Sequence, residues 1–505
     1  MLANPQLVPT GKNWAVASRA LALTLNIPLV IQVLETGGYY AEGDGGGATF
    51  MRVAGPVSDG ASFQSNDGAY WEIIGPEYND KQFGTYGDDS HDDTTAIQNA
   101  LNKLAPGTVL RFGTGPYKIT STINYGDGTD TDLSTFANNC TVIWGGDSSY
   151  INALIDSSDP YFGIINAGTH FKWYGAAAGT MFKVNGPIFG SRWIGAIVLD
   201  GMVYSGGASG PDHCLQMYSF GNFTIDSIIA VNWQAGGEGI LMDTRHVATV
   251  GGNANPVVSS LNRIGKVVAV SYYADHSTAF RLDGWKNAGG QDVTITQIGI
   301  VQCGISGDNC NAVSIGFIDD VRIDQIVNVT FGTITSSYGL YLSGTATPFI
   351  APARVYIGNA ALGQGVGVGG GTNAQVFIEA YELDDAATFS AVTGLTVFRF
   401  VDTTNAWKTN LYKPFDGKCK VEVDGNGDGY ALYDSSGNLI GSIVREGAGT
   451  RITSFSNLEL EPASYLVSAK LQGSASYAND AAAAAGGVPV GGLYRNGSVV
   501  QIRIT

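Results

Sequence analysis

Two aspartates occupy the same place in neighbouring copies of a short repeat. Asp243 follows Gly239-Ile-Leu-Met and Asp283 follows Ala279-Phe-Arg-Leu. If the two repeats form adjacent parallel strands, about 4.8 Å separates the aspartate positions. Carboxylates that close repel each other, which raises the pKa of one and provides an acid beside a base. A separation near 5 Å suits a retaining glycosidase and about 6.5–9.5 Å an inverting one, so the rung spacing favours the retaining geometry.

Further residues that suit a carbohydrate cleft surround this pair in the sequence. Glu238 and Asp275 are additional candidates for catalytic carboxylates. Aromatic rings stack on sugar faces, while cationic and imidazole groups hydrogen-bond sugar hydroxyls. The residues that offer these groups are Tyr218, Trp233, Arg245, His246, His276, Arg281 and Trp285.

The alternative for each aspartate is a purely structural role, because Asp at a strand end often only caps a turn. Three long insertions favour the functional interpretation, since they border the same repeats: residues 244–261, 284–292 and 302–311. Functional residues concentrate on loops that a rigid scaffold holds in place. The coincidence of long loops and dense ionisable groups predicts a site here.

The aspartates belong to the first of two alternating repeat series, which recurs at intervals of 25 to 40 residues. Its members have the form small-apolar-x-apolar: Cys214-Leu-Gln-Met, Gly239-Ile-Leu-Met, Ala279-Phe-Arg-Leu, Ala312-Val-Ser-Ile, Gly339-Leu-Tyr-Leu and Gly365-Val-Gly-Val. Constant strands with variable linkers are typical of a solenoid, in which inward apolar residues stack rung on rung and loops absorb insertions. Aligning the members predicts one outward column of Tyr218, Asp243, Asp283, Gly316, Ser343 and Gly369.

The second series alternates with the first. Its members are Phe223-Thr-Ile-Asp-Ser-Ile, Asn262-Arg-Ile-Gly-Lys-Val, Val293-Thr-Ile-Thr-Gln-Ile, Val321-Arg-Ile-Asp-Gln-Ile, Val355-Tyr-Ile-Gly-Asn-Ala and Val376-Phe-Ile-Glu-Ala-Tyr. Together the two series predict a single stacked core whose interior includes Ile225, Ile240, Ile264, Phe280, Ile295, Ile323 and Ile378.

The composition agrees with a long solenoid and argues against two classes of ligand. The chain of 505 residues has 70 glycines and only 14% charged residues, against a usual level of about 25%. Its net charge of −17 disfavours nucleic acid, whose binders present Lys and Arg to phosphate. The apolar run 20–34 is too short and too interrupted to span a bilayer, which excludes membrane insertion there.

No cofactor or metal is expected. The five cysteines are scattered without paired spacing and are predicted to be small buried residues. The run Asp424-Gly-Asn-Gly-Asp-Gly begins like a calcium loop but has Ser435 where a bidentate Glu would lie, which favours a turn.

The segment 86–119 is a strong motif for the beginning of the solenoid. Carboxylates from Asp88 to Asp93 precede the apolar-periodic run Ala96-Ile-Gln-Asn-Ala-Leu, which predicts a short capped helix. Pro106-Gly107 ends it, and two short strands follow. This order resembles the opening of pectate-lyase-like right-handed parallel β-helices, including those of bacteriophage tailspikes. The turn at Gly113-Thr-Gly departs from the family's usual proline-and-glycine turn.

Two further segments resemble phage tail proteins. Residues 37–74, with Gly-Tyr-Tyr followed by a glycine-rich Gly-Asp-Gly-Gly-Gly-Ala-Thr-Phe, are similar to the small β-rich module that many tailspikes carry before the β-helix. The ending, with an alanine run and an Asn496-Gly497 hairpin signal, is similar to terminal segments of phage tail proteins.

The resemblance implies an all-β, homotrimeric tailspike with a small N-terminal module, a right-handed parallel β-helix and a β-rich C-terminal region. The expected boundaries are a virion-attachment module over 1–80, opening helix and capping strands over 81–125, β-helix over 126–385, cap or linker over 386–418 and trimerisation or receptor-contact region over 419–505.

The function that the resemblance implies is binding and depolymerisation of a bacterial surface polysaccharide, capsule or O-antigen, by a virion component that attaches to the phage tail or baseplate. The paired carboxylates favour an endo-glycoside hydrolase. A polysaccharide lyase using Lys266, Tyr272 or His276 as base is the nearest alternative. A non-cleaving adhesin or structural fibre is the alternative from a different class.

Overall fold

The fold is known from a computed structural model in which the chain forms two compact units, residues 1–423 and 424–505. The structure describes residues 11–57, 60–126, 139–145, 168–176, 178–203, 210–243, 247–250, 253–256, 262–271, 275–283, 296–305, 309–316, 321–330, 338–343, 353–362, 366–370, 374–383, 388–389, 395–402, 407–408, 429–433, 439–446, 449–453, 476–488, 490, 493–497 and 499–504. No helix among these residues is long and apolar enough to cross a membrane.

The N-terminal module is a five-stranded sheet with one short helix, α1 (Arg19–Ala22), which begins where the Ser18 hydroxyl accepts the Leu21 N–H. The strands are β1 (Asn13–Val16), β2 (Val33–Thr36), β3 (Ala48–Val53), β4 (Ser62–Gln64) and β5 (Tyr70–Ile73), in the order β1-β2-β3-β5-β4. Trp71 is fully buried in it, under the guanidinium of Arg52 at 4.6 Å.

The opening motif folds as predicted into a helix and short strands. It comprises β6 (Glu77–Asn79), a 3₁₀ helix (Asp80–Phe83), α2 (Thr94–Asn102), β7 (Val109–Arg111), β8 (Tyr117–Ile119) and β9 (Ile123–Tyr125). The predicted cap is only partly right. Asp92 accepts the Thr94 N–H, but the buried Asp93 carboxylate accepts from Tyr86 and Gly87 instead. Asp93 therefore fixes the turn before the helix.

The remaining strands of the first unit are β10 (Thr141–Ile143), β11 (Thr169–Trp173), β12 (Thr180–Phe189), β13 (Arg192–Asp200), β14 (His213–Gly221), β15 (Thr224–Val231), β16 (Glu238–Asp243), β17 (Val247–Val250), β18 (Asn253–Pro256), β19 (Asn262–Ser271), β20 (Thr278–Asp283), β21 (Thr296–Ile305), β22 (Asn311–Gly316), β23 (Val321–Thr330), β24 (Tyr338–Ser343), β25 (Ala353–Leu362), β26 (Val366–Gly370), β27 (Ala374–Leu383), β28 (Thr388–Phe389), β29 (Leu395–Asp402) and β30 (Trp407–Lys408).

These strands coil into a parallel β-helix. From β12 to β29 successive strands alternate between a nine-stranded sheet, order β28-β26-β24-β22-β20-β16-β14-β12-β9, and a larger sheet that runs β29-β27-β25-β23-β21-β19-β15-β13. The exceptions are β17 and β18, which form a separate antiparallel hairpin. Each pairing along these paths is parallel. Two neighbouring strands of one sheet are therefore connected through a strand of the other sheet. The predicted solenoid is therefore confirmed, and parallel pairing continues past residue 385 until β30 pairs antiparallel with β29.

The interior of the solenoid is mainly apolar in its described part. At the N-terminal end it is aromatic, with Trp144 and Trp193 ring centroids 5.4 Å apart, and further along it becomes aliphatic. Five of the predicted interior residues are buried, which confirms the register there: Ile225, Ile240, Ile264, Phe280 and Ile323. Ile295 and the Ile378 side chain lie outside the described part.

Two predicted register positions are wrong. Ile264 pairs with Ile298 rather than with Ile295. The members of this series have apolar residues three positions apart, and Ile295, Ile298 and Val301 repeat that spacing, so the motif fits two registers. Only the observed register places Gly299 beside Gly265. Gly369 pairs with Tyr341, two residues away from the predicted column. Gly365-Val-Gly-Val repeats every two residues, so a shift of two leaves the side-chain alternation unchanged.

Glycines occupy one position in the long strands β19 and β21, where β15 and β23 have Asp226 and Asp324. A Cβ on Gly265 or Gly299 would lie 2.6 or 2.5 Å from a backbone carbonyl oxygen of the preceding rung. That distance is shorter than real Cβ contacts, so a side chain at Gly265 or Gly299 would force the local backbone to shift.

The cysteines are buried as expected at the four positions that the structure describes. Cys140, Cys214, Cys303 and Cys310 are buried in the core, and Cys419 lies outside the described residues. Burial raises the pKa of the Cys140 thiol to about 11. At these four positions the cysteines are small core residues, as the sequence predicts.

The second unit contains two separate antiparallel groups among its described residues. They are the meander β31 (Gly429–Tyr433), β32 (Leu439–Glu446) and β33 (Gly449–Thr453), and helix α3 (Asp480–Ala485) with the hairpin β34 (Leu493–Asn496) and β35 (Val499–Ile502). The hairpin turns at Asn496-Gly497, as the sequence predicts, with Gly497 at φ 61°.

Candidate functional site

The outer surface of the nine-stranded sheet has three positions on each strand that are mostly polar, and we call this surface the polar face; Leu241 and Gly316 are exceptions. The first is at the start of the strand, as in His213, Glu238, Thr278, Asn311 and Tyr338. The second is three residues later, as in Lys183, Gln216, Arg281, Ser314 and Tyr341. The third is two residues further, as in Asn185, Tyr218, Asp243 and Asp283. Parallel register brings equivalent positions side by side.

Glu238 is the centre of a charged cluster on this face. Its Oε1 lies 2.6 Å from Nη1 of Arg281, and its Oε2 lies 3.6 Å from Nδ1 of His213. The side chains of Glu238, Arg281 and His213 are 14%, 33% and 22% exposed, so the cluster is open to a ligand but partly desolvated. An ion pair of this kind fixes the guanidinium in one direction.

Tyr218 lies on the N-terminal side of that cluster. Its ring centroid is 5.7 Å from Nζ of Lys183 on the preceding rung. Asn185 is the register partner of Tyr218 and donates from Nδ2 to Oδ1 of Asn124 at 3.0 Å. At the other end Tyr338 and Tyr341 have ring centroids 5.2 Å apart. The face thus combines aromatic rings, amides and charged groups.

The backbone register places Asp243 beside Asp283. Their residues are direct partners in the parallel pairing of β16 with β20, and Tyr218 precedes them as the partner of Asp243. The predicted alignment of the two strands is therefore confirmed. The side chains of Asp243 and Asp283 are outside the described part, so their role stays a prediction.

The four predicted catalytic carboxylates fall in three places. Glu238 begins the strand that ends at Asp243, so about 16 Å separates their Cα positions at the usual rise per residue. Asp275 is exposed in the turn before β20, and its carbonyl accepts the Gly236 N–H. Only Asp243 and Asp283 are adjacent, while Glu238 is committed to Arg281.

The predicted binding residues also separate. Tyr218 and Arg281 lie on the polar face, whereas His276 is exposed in the turn, with Nε2 3.4 Å from Nδ2 of Asn309. Trp233 is wrong as a sugar-stacking residue because it is fully buried in the core, where it packs under Gly239. Arg245, His246 and Trp285 lie outside the described residues.

Sequence reasoning missed His213 and Lys183. His213 precedes Cys214 just as Glu238 precedes Gly239, so extending the repeat by one residue would have found it. Lys183 belongs to Met181-Phe-Lys-Val, which fits the first series except that Met replaces the small residue. The first repeat series therefore begins one strand before Cys214-Leu-Gln-Met, at a position where the core holds a methionine instead of a small residue.

Comparisons with known proteins return phage tailspikes among solved structures. The chain is similar to a tailspike of Acinetobacter baumannii bacteriophage Fri1, a capsular polysaccharide depolymerase, with 12% identity and a TM-score of 0.38 over 87% of this chain and 91% of that one. It is similar to the tailspike of Acinetobacter phage vB_ApiP_P1, with 12% identity and a TM-score of 0.39 over 88% and 90%.

A third similar structure is WceF of Pantoea stewartii, a glycan biofilm modifying enzyme with a tailspike-like parallel β-helix. It has 12% identity and a TM-score of 0.30, over 82% of this chain and 55% of WceF. No protein-family model matches the sequence, and no curated protein sequence matches it.

Proposed function

We propose that this chain is a phage tailspike that binds and cleaves a bacterial surface polysaccharide, acting at the bacterial cell surface as part of the virion tail. The observation that carries the proposal is the polar face, where tyrosines, amides, a carboxylate and two cations lie on successive rungs of a rigid sheet. Two long connections in the sequence, 244–261 and 284–295, border the same strands, and the first contains the hairpin β17–β18. The third predicted insertion, 302–311, is shorter than expected because β21 extends to Ile305 and β22 begins at Asn311. The opening motif and the N-terminal module, which resemble those of tailspikes, support the same class.

For the reaction we propose glycoside hydrolysis by Asp243 and Asp283. Their positions are register partners, and adjacent strands lie about 4.8 Å apart, which is near the carboxylate separation of retaining enzymes. One carboxylic acid protonates the departing glycosidic oxygen, while the other carboxylate attacks the anomeric carbon. The first group then removes a proton from the water that releases the sugar.

The proposed reaction is tested with single isosteric variants. Asp243→Asn and Asp283→Asn should each reduce cleavage at least about a hundredfold, the usual contribution of a general acid or base. Binding of the polysaccharide and the melting temperature should persist, because the replaced groups keep their shape. The assay measures reducing ends released from a panel of bacterial capsule and O-antigen polysaccharides. Undiminished cleavage by both variants would place the reaction elsewhere.

A lyase is the second candidate, and one observation favours it. Lys266 is half-buried in β19, and burial lowers the pKa of its ammonium, which makes it a better proton acceptor. Lyase products have an unsaturated end that absorbs in the ultraviolet, whereas hydrolase products are saturated. Binding without any shortening of the polymer would instead support a non-cleaving adhesin.

A further inference from the structure

Lys183 differs from the other cations of the polar face. Its side chain is partly exposed, and Nζ lies 5.7 Å from the centroid of the Tyr218 ring. Within the described part of the chain it has no carboxylate partner, whereas Arg281 is bound by Glu238 at 2.6 Å. Lys183 therefore offers its positive charge outward from this face.

A second lysine and tyrosine pair in the same chain has acidic residues beside it. Lys118 Nζ lies 5.1 Å from the ring centroid of Tyr174. There the tyrosine hydroxyl donates to Asp89 Oδ1 at 3.1 Å, and the charge of Lys118 helps to lower the pKa of the Asp92 carboxyl. The counter-charge at Lys118 comes from neighbouring side chains, whereas the described residues around Lys183 provide none.

The neighbours of Lys183 are neutral hydrogen-bonding groups. Asn124 and Gln216 are its register partners on the two adjacent rungs, and Asn185 is the partner of Tyr218. The chain has 44 acidic and 27 basic residues, yet the described residues at these positions carry amides and a phenol. Amides and phenols suit sugar hydroxyls, and the ammonium suits a carboxylate.

We propose that Lys183, Tyr218 and the amides of Asn124, Asn185 and Gln216 form a subsite for a carboxylate-bearing sugar residue, such as a hexuronate. The inference rests on the proposed function for the polymeric nature of the ligand, although the charge preference stands on Lys183 itself. Tyr218 is the register partner of Asp243, so the acidic sugar lies one rung N-terminal to the proposed cleavage position. The substrate is then an acidic polysaccharide.

The direct test uses the monosaccharides glucuronate and glucose with the full-length protein, measured by saturation-transfer difference NMR at low salt. We expect the wild type to bind glucuronate about tenfold more tightly than glucose. Lys183→Met keeps the aliphatic stem and should remove this preference. Lys118→Met is the matched control and should keep it. Equal or absent binding of the two sugars by the wild type would overturn the subsite, as would a preference retained in Lys183→Met.

A second measurement separates this inference from the proposed function. An acidic capsular polysaccharide that the wild type cleaves is compared with the same polymer after reduction of its carboxyl groups to alcohols. We expect the reduced polymer to raise KM about tenfold for the wild type and to leave KM nearly unchanged for Lys183→Met. Equal cleavage of both polymers by the wild type would overturn the subsite and leave the proposed function standing. Glucuronate binding without cleavage of any polymer would contradict the proposed function and leave the subsite standing.

Discussion

At the scale of single residues, Glu238 and Arg281 form an ion pair on the polar face. Glu238 faces Thr278 across the sheet and reaches diagonally to Arg281, whose Nη1 lies 2.6 Å from its Oε1. Since Arg281 is one-third exposed, the pair stabilises the fold by only about 1 kcal/mol or less. We propose that the pair instead holds the guanidinium in place for a ligand, so that Glu238 acts as a positioning residue.

This role predicts the kinetics of Glu238→Gln. The variant keeps the shape but loses the charge that orients Arg281, so KM for a cleaved polysaccharide should rise about three- to tenfold while kcat changes little. Glu72→Gln, which neutralises the partner of Lys103 in the N-terminal module, is the control and should leave both constants unchanged. Steady-state release of reducing ends measures both. A hundredfold fall in kcat would make Glu238 a catalytic residue after all.

At the scale of elements, helix α2 closes the open end of the β-helix. The side-chain amide of Gln98 donates from Nε2 to the Asn124 carbonyl at 2.9 Å, and its Oε1 accepts the Asn124 N–H at 2.8 Å. The side chain therefore makes the two hydrogen bonds that another strand would make to β9. Uncovered edges invite pairing with other chains, so this contact protects the first rung.

Replacing Gln98 tests that closure. Gln98→Ala leaves the N–H and the carbonyl of Asn124 without their partner, which should lower the free energy of unfolding by about 1–3 kcal/mol. Thr95→Ala changes an exposed position of the same helix and serves as the control. Urea unfolding followed by tryptophan fluorescence gives both values. Equal stabilities of the two variants would show that α2 covers the edge by apolar packing alone.

The elements also show what sequence alone can provide. The repeat placed Asp243 beside Asp283 and predicted buried Ile240 and Phe280, because inward apolar residues recur at fixed offsets. The repeat did not predict that Trp233 is buried, because the sequence between two strands does not show whether a tryptophan faces a ligand or the core. It also missed the ion pair of Glu238, because a diagonal contact depends on side-chain directions that no linear spacing contains.

At the scale of the whole molecule, the question is how chains assemble. Leu493 and Ile502 are cross-strand partners in the terminal hairpin, so both lie on one face of it, and they are 47% and 56% exposed. A two-stranded hairpin is marginal by itself in water, and an exposed apolar pair on it favours a partner surface. This arrangement agrees with the predicted trimerisation through the C-terminal region.

Adding a charge to one face of the hairpin tests trimer formation without removing the region. We expect the full-length chain to have three times the chain mass by light scattering, and Ile502→Lys to dissociate it, because the charge would be buried between chains. Gln501→Lys places the same charge one residue away on the opposite face and should leave the trimer intact. Truncation after residue 423 should give the monomer or aggregates, with the β-helix still formed by circular dichroism. A trimer that survives both Ile502→Lys and truncation would locate assembly in the first unit, where adjacent β-helices would have to contact each other directly.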